Sequence, residues 1–140
     1  SSRRFGRTFV AMSVIGLGTD LIECARIRRI LEQHSDTFLD RILTPAERTY
    51  VQQFHRDIVP RVAGRFAAKE AIVKVLGTGL RGKLAWHDME ILNDANGKPV
   101  VTLRDGCREL ADRLGIATVL VSITHTENYA AATAIGIGGA

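Results

Sequence analysis

Two carboxylates lie in apolar stretches of the sequence, where a charged group needs a partner. Asp20 follows the apolar residues of VIGLGTDL, and Glu70 interrupts the small and apolar run GRFAAKEAIVKVLG. A carboxylate in such surroundings tends to be paired or bound to a metal ion. A strand-end Asp and a helical Glu can supply the oxygen pair that Mg²⁺ uses, with waters and a substrate phosphate completing its octahedral shell. Asp20 and Glu70 are therefore candidate Mg²⁺ ligands.

Three cations, Arg65, Lys69 and Lys74, surround Glu70 on the same predicted helix. Beside a metal-bound carboxylate they would hold phosphate groups. Helix geometry also allows a simpler interpretation, in which Glu70 and Lys74 form an ordinary i,i+4 ion pair on a solvated face. Asp20 has a comparable alternative as a helix N-cap or turn residue. The residue types and their spacing leave both interpretations open.

Glycine-rich segments and a single histidine are weaker candidates. The segment Gly77-Thr-Gly-Leu-Arg-Gly-Lys has the spacing of a P-loop, but Leu84 follows where Mg²⁺ needs Ser or Thr, and the loop follows a helix instead of opening one. It can still contact an anion through backbone N–H groups. Gly16-Leu-Gly18 lacks the third glycine of a dinucleotide fingerprint and predicts close backbone packing. His125 follows an apolar strand, and a lone histidine in that setting is more often structural.

Composition predicts one globular domain that meets acidic partners. The chain has 140 residues, 46% of them hydrophobic, a formal net charge of +4 and a pI near 9.5. The 6% aromatic content argues against base stacking on single-stranded nucleic acid, and no apolar run is long enough for a bilayer. Cys24 and Cys107 lack metal-ligand spacing, which favours a reducing compartment. Residues 1–11 are expected to be an N-terminal extension or an expression remnant, and residues 12–140 the domain.

The elements that must position these residues are predicted by periodicity and by capping signals. Helical spacing begins at Glu23, Asp36 is a possible cap for a short helix ending near Leu43, and Thr44-Pro-Ala-Glu47 has the form of a capping box. Pro60 opens the helix that contains Glu70, and Ala95-Asn96-Gly97 marks a hairpin. The predicted strands are 14–21, the two arms of that hairpin, 118–125 and 128–137. Helices early and strands late predict an α+β fold with a mainly antiparallel sheet around a long apolar helix.

Taken together, five segments resemble the holo-acyl-carrier-protein synthases, the small bacterial-type phosphopantetheinyl transferases. The segments are GLGTDLIE (16–23), RILTPAE (41–47), GRFAAKEAIVKVLGTGL (64–80), NDANGKP (93–99) and SITHTENYAAA (122–132). They occur in the family's order, and the resemblance extends from Ser13 to about Ile137. It implies a 4′-phosphopantetheinyl transferase fold and the transfer of phosphopantetheine from coenzyme A to a serine of apo acyl carrier protein, for fatty acid biosynthesis.

The resemblance also implies roles for individual residues. Asp20 and Glu70 would hold Mg²⁺, and Lys74, together with Lys69, would neutralise the phosphates around it. The positions that match coenzyme A-binding residues of the family are Arg65, Gly77, Thr78, Gly79, His125 and Thr126, and those that match carrier-binding positions are Arg26 and Arg29.

The family further implies a homotrimer with active sites between subunits. Together with the composition, we expect a cytoplasmic protein with no nucleic-acid or membrane partner. Two other functions fit the residues less completely. A Mg²⁺-dependent pyrophosphate hydrolase would use the same carboxylates without a carrier. A non-catalytic basic module that binds acidic carrier domains has no use for two carboxylates embedded in apolar segments.

Overall fold

The structure is a computed structural model that describes residues 13–77 and 85–139. Within these residues, one long strand leads, helices follow, and strands close the chain. The elements are β1 (Ser13–Glu23), α1 (Cys24–Ile42), α2 (Pro45–Gln52), α3 (Val59–Leu76), a 3₁₀ turn (Trp86–Asp88), β2 (Met89–Asn93), β3 (Pro99–Leu103), α4 (Asp105–Arg113), β4 (Thr118–His125) and β5 (Tyr129–Gly138).

All strand pairs are antiparallel, and α3 packs against the larger of two sheets. That sheet has the order β1-β5-β4, and β2 and β3 form a separate hairpin. Helix α3 is buried along most of its length, as its apolar sequence predicts. The α+β class, the antiparallel pairing and the long central helix are thus confirmed, and the strands are divided between two sheets.

The inner face of the larger sheet is made of small residues, which lets α3 approach closely. Ala130, Ala132 and Ala134 alternate along β5 and are buried beneath the helix. Gly18 of β1 pairs with Ala134 in the same row. Because side chains alternate between the two faces of a strand, Asp20, two residues from Gly18, also faces α3.

We expect Gly18→Ala to destabilise the fold by about 1–3 kcal/mol, the usual cost of overpacking a core. A Cβ at Gly18 would clash with the carbonyl oxygen of Ala71 and would lie 2.9 Å from Cβ of Lys74. The backbone of a helix cannot move away from such a clash without a large cost in free energy. Gly139→Ala is the matched control, since its Cβ would meet nothing closer than Ala117 at 3.9 Å. Urea unfolding of both variants measures the difference, and equal stabilities would contradict the close approach of β1 to α3.

Local signals place the helix ends where the sequence predicts them. The capping box is present: Thr44 Oγ1 accepts from the Glu47 N–H, and Glu47 Oε1 accepts from the Thr44 N–H. Helix α3 begins at Val59, one residue before Pro60, and ends at Gly77 with a left-handed φ of 78°. The break expected near Asp36 occurs at His34, whose non-helical backbone kinks α1. Among the described residues, no helix is both long enough and apolar enough to cross a membrane.

Candidate active site

One cluster joins β1 to the C-terminal half of α3 and contains Asp20, Glu70 and Lys74. Nζ of Lys74 lies 3.4 Å from Oδ1 of Asp20 and donates to the carbonyl oxygen of Thr19 at 2.7 Å. Asp20 Oδ2 is buried and has no hydrogen-bond partner among the described residues. Glu70 is half-buried one helical turn before Lys74. The cluster therefore holds two carboxylates but only one close ammonium group.

Electrostatics in this cluster favour a bound cation. Burial raises the pKa of Glu70, and the nearby Asp20 carboxylate raises it further, against the opposing effects of Lys74 and Arg26. Within residues 13–77 and 85–139 no group of three or more Asp, Glu, His or Cys side chains converges. Two carboxylates, one with an unsatisfied oxygen, fit Mg²⁺, which keeps several waters and binds substrate phosphate through its remaining positions.

Lys69 does not lie where the resemblance suggested. Its side chain is completely buried, and Nζ donates to Ile42 O at 2.6 Å, Glu47 Oε1 at 2.7 Å and Trp86 O at 3.2 Å. These three oxygens use the three donors of an ammonium group. The expectation that Lys69 neutralises phosphate is therefore corrected: in this structure it is a core residue, turned away from the Asp20 cluster by its i−1 position on the helix.

Glu47 is the residue that the sequence did not identify as central. Besides capping α2 and pairing with Lys69, its Oε2 accepts from the N–H of Ile91 in β2 at 2.7 Å. One buried carboxylate thus joins the start of α2, α3 and the hairpin. The capping-box pattern predicted only the local part of this role, because the partners Lys69 and Ile91 are distant in sequence.

Arg65 forms a second, separate candidate position for an anion. The side chain is buried, its Nη2 donates to Asn93 Oδ1, and its guanidinium carbon lies 4.3 Å from the centre of the Tyr50 ring. Arg65 Nε has no partner, and no described carboxylate lies within ion-pair distance of the group. Burial lowers the pKa of Arg65, because removal from water disfavours the charged form of the guanidinium group.

His125 ends β4, and Thr126 follows it, beside a shallow pocket of about 270 Å³. Thr126 Oγ1 accepts from the N–H groups of Asn128 at 3.3 Å and Tyr129 at 3.1 Å, which closes the β4–β5 turn. His125 is exposed, and its Nε2 lies 2.7 Å from Nη1 of Arg61. The lining residues of the pocket are Leu21, Thr124, His125, Thr126, Tyr129 and Ala131.

The cation Arg65 and the Glu70–Lys74 pair therefore lie on different sides of α3. At 100° per residue, Arg65 points about 140° away from Glu70 around the helix axis, whereas Glu70 and Lys74 share a side. The structure brings together Asp20, Glu70 and Lys74, whereas the side-chain contacts of Arg65 and His125 are with Asn93 and Arg61. Gly77 ends the helix; the predicted loop residues Thr78 and Gly79 lie outside the described residues.

The basic helix α1 presents Arg26 and Arg29 at its surface. The Arg26 guanidinium lies 5.8 Å from the centre of the Phe66 ring, and Arg29 is exposed. Arg28 instead forms a 2.9 Å ion pair with Asp57, whose other oxygen accepts from the N–H of Val59 at the start of α3. Arg28 is thus held in an ion pair within the chain, whereas Arg26 and Arg29 have no such ion pair among the described residues.

Comparison with known proteins specifies the class to which this fold and this paired-carboxylate cluster belong, a transferase superfamily. The chain belongs to the 4′-phosphopantetheinyl transferase superfamily, whose model matches residues 16–134. A holo-[acyl-carrier-protein] synthase of Yersinia enterocolitica is 43% identical over 124 residues, which cover 89% of this chain and 98% of that protein.

Solved structures of the same kind share the fold. The holo-[acyl-carrier-protein] synthase of Neisseria meningitidis superposes with a TM-score of 0.81 at 34% identity, covering 89% of this chain and 98% of that one. The Bacillus anthracis synthase, solved in complex with CoA (3′,5′-ADP), superposes with a TM-score of 0.74 at 35% identity, covering 91% and 99%. The family predicted from the five sequence segments is confirmed.

Proposed function

We propose that this protein transfers the 4′-phosphopantetheine group of coenzyme A to a serine of an apo acyl carrier protein and releases adenosine 3′,5′-bisphosphate. The bond that forms joins the serine oxygen to the β-phosphorus, and the bond that breaks is the pyrophosphate P–O bond of coenzyme A. We infer that the reaction serves fatty acid biosynthesis, and the relatives are named as holo-[acyl-carrier-protein] synthases. The observation that carries the proposal is the Asp20–Glu70–Lys74 cluster, because it combines a metal-ligand pair with a phosphate-binding cation.

Each residue of the cluster has a definite task. Asp20 and Glu70 hold Mg²⁺, and the unsatisfied Asp20 Oδ2 supports this assignment. When bound, Mg²⁺ supplies charge stabilisation for the departing phosphate. Nζ of Lys74 is half-exposed and can turn from Thr19 toward a phosphate oxygen. Arg65 and His125, at the other end of α3, bind the far end of coenzyme A.

The carrier protein binds at α1. Acyl carrier proteins are acidic, and Arg26 and Arg29 are exposed on a helix that begins four residues after Asp20. Surface charges of this kind chiefly accelerate encounter and are screened by salt. Raising the salt concentration is therefore expected to increase the KM for carrier more than it changes kcat. We also infer a cytoplasmic location, since Cys24 and Cys107 are free, buried thiols.

A homotrimer with shared active sites explains the outer face of the larger sheet. Leu17, Ile135 and Leu120 lie opposite one another in one row across β1, β5 and β4. Leu17 is 62% exposed and Leu120 46%, and Leu21 on the same face of β1 is 64% exposed. Such an apolar patch is typical of a protein interface. Arg65 and Glu70 point to different sides of α3. A coenzyme A molecule that contacts both residues would therefore take Glu70 from one copy of the chain and Arg65 from a second copy.

We expect Leu17→Glu to convert the assembly to monomers and to reduce transferase activity at least tenfold. Burying an unpaired carboxylate in an apolar interface costs on the order of several kcal/mol. The control is Val100→Glu, an exposed aliphatic position on β3 of the other sheet. Light scattering after size-exclusion chromatography gives the mass of each variant. A Leu17→Glu protein that keeps the wild-type mass would exclude this face as the interface.

The decisive test of the activity is the intact mass of an apo acyl carrier protein after incubation with this protein and coenzyme A. A gain of one phosphopantetheine group that requires Mg²⁺ and disappears with chelator supports the proposal. Consumption of coenzyme A with an unchanged carrier would instead identify a hydrolase. Unchanged carrier and unchanged coenzyme A, with several carriers tried, would leave a binding module.

A further inference from the structure

Arg61, in the first turn of α3, makes contacts that no role so far explains. Its guanidinium carbon lies 4.1 Å from the centre of the Phe54 ring, and its Nη1 lies 2.7 Å from His125 Nε2. Arginine can only donate, so Nε2 of His125 is the acceptor in this contact. A permanent cation therefore lies against one ring nitrogen of the histidine, and the other ring nitrogen is not used by Arg61.

Arg61 also lies beside Arg65, one turn along the same side of the helix. The rings of Phe54 and Tyr50 meet edge-on at 5.3 Å, and each carries one of the two guanidinium groups on its face. Among the described residues neither arginine has a carboxylate partner. The aromatic pair thus holds two like charges close together, and repulsion by Arg61 adds to the effect of burial in lowering the pKa of Arg65.

Two adjacent guanidinium groups and an imidazole are a receptor for a phosphate monoester dianion. Arginine matches phosphate oxygens with two parallel N–H donors, and such charge-assisted bonds are the strong ones. Arg65 has an unpartnered, buried Nε. His125 is held next to Arg61 by the β4–β5 turn, so an anion placed between the two groups would replace the 2.7 Å contact between them.

We propose that Arg61 is a specificity-determining residue that recognises the ribose phosphate of coenzyme A together with Arg65 and His125. This inference rests on the proposed function, because it takes coenzyme A as the substrate. It assigns to Arg61 the discrimination between coenzyme A and dephospho-coenzyme A, which lacks only that phosphate. A purely structural role, in which Arg61 ties the β4–β5 turn to α3, would affect both substrates alike.

The test compares Arg61→Gln, Arg61→Lys and the wild type with both substrates in the carrier mass assay. For Arg61→Gln we expect the KM for coenzyme A to rise at least tenfold, as for the loss of a charged hydrogen bond, with kcat unchanged. The KM for dephospho-coenzyme A should change less than about twofold on the same reasoning. Arg61→Lys keeps the positive charge but lacks the paired N–H donors of a guanidinium group, so its KM for coenzyme A should lie between those of the wild type and Arg61→Gln. Arg56→Gln, an exposed arginine in the preceding turn, is the charge-matched control.

A binding measurement separates failure of this inference from failure of the proposed function. Calorimetric titration with adenosine 3′,5′-bisphosphate and with adenosine 5′-monophosphate needs no carrier and no transfer. Arg61→Gln should weaken binding of the bisphosphate and leave that of the monophosphate unchanged. Equal weakening of both, or of neither, would overturn the role of Arg61. If the wild-type protein bound the bisphosphate more tightly than the monophosphate but modified no carrier, the proposed transferase function would be overturned and the role of Arg61 in phosphate recognition would stand.

Discussion

Asp20→Asn and Glu70→Gln are each expected to lower kcat by roughly 10³-fold, the scale on which removal of a preorganised electrostatic group acts. Each substitution keeps the shape of the side chain and removes one anionic oxygen ligand. With one carboxylate left, Mg²⁺ would be held by a single protein group, and the charge that develops on the leaving phosphate would lose its stabilisation. The double variant should be little worse than either single one, because the two carboxylates act as one unit.

The same substitutions should not destabilise the fold, and this separates a ligand from a structural residue. Glu70 has its pKa raised by burial and by Asp20, so neutralising it removes a cost. The thermal midpoint in the absence of metal should therefore stay constant or rise. Addition of Mg²⁺ should stabilise the wild type by mass action and have a smaller effect on either variant.

Glu109→Gln provides the control for both measurements. Glu109 is a helical and exposed carboxylate on α4, far from α3 in the chain. Its activity and its response to Mg²⁺ should match those of the wild type. If Asp20→Asn or Glu70→Gln kept wild-type activity, or lost activity together with several degrees of thermal midpoint, the metal-ligand assignment would be wrong.

Replacement of Glu47 or Lys69 is expected to have the largest effect on stability, about 3–5 kcal/mol for Glu47→Leu or Lys69→Met. Removing one member of a fully buried ion pair leaves the other charge without compensation. Both side chains are 0% exposed, and the Nζ–Oε1 distance is 2.7 Å. Glu47→Leu should be the worse change, because it also leaves the N–H groups of Thr44 and Ile91 without their acceptor.

Urea unfolding measures these losses, and two further variants keep the experiment informative. The free energy of unfolding of a domain is only about 5–15 kcal/mol, so the Glu47→Leu variant can be too unstable to be purified in folded form. Glu47→Gln keeps one carbonyl acceptor and should show an intermediate loss. Arg28→Gln breaks the exposed 2.9 Å pair with Asp57 and should cost at most about 1 kcal/mol. A loss at Glu47 or Lys69 no larger than that at Arg28 would contradict the energetic importance of the buried pair.

This pair also explains how the site is kept in place. Lys69 immediately precedes Glu70, and its three hydrogen bonds fix α3 against the end of α1, the start of α2 and the 3₁₀ turn. The position of the Glu70 carboxylate relative to Asp20 therefore depends on a core contact on another side of the helix. Milder variants such as Glu47→Gln should accordingly lose some activity along with stability.

The sequence by itself determined the local structure and the family. Capping, glycine and hairpin signals at Thr44, Gly77 and Gly97 act within a few residues, so they could be recognised without knowledge of the rest of the fold. Five motifs in their order identified the superfamily. Asp20, Glu70 and Lys74 were singled out because charged residues in apolar segments are exceptional, and the structure places them in one cluster.

Only the tertiary structure decided which partners the cations Arg65, Lys69 and Lys74 of α3 contact. Helix periodicity puts Lys74 on the side of Glu70 and puts Arg65 and Lys69 together on another side, but it does not say which partner each cation meets. Lys69 pairs with Glu47, 22 residues away, and Arg61 meets His125 across 64 residues. Such contacts arise from the packing of β1, β4 and the hairpin around α3. Hydrophobic periodicity predicts which side of an element is buried, but it carries no information about which polar groups meet there, because their pairing is set by the relative placement of distant elements.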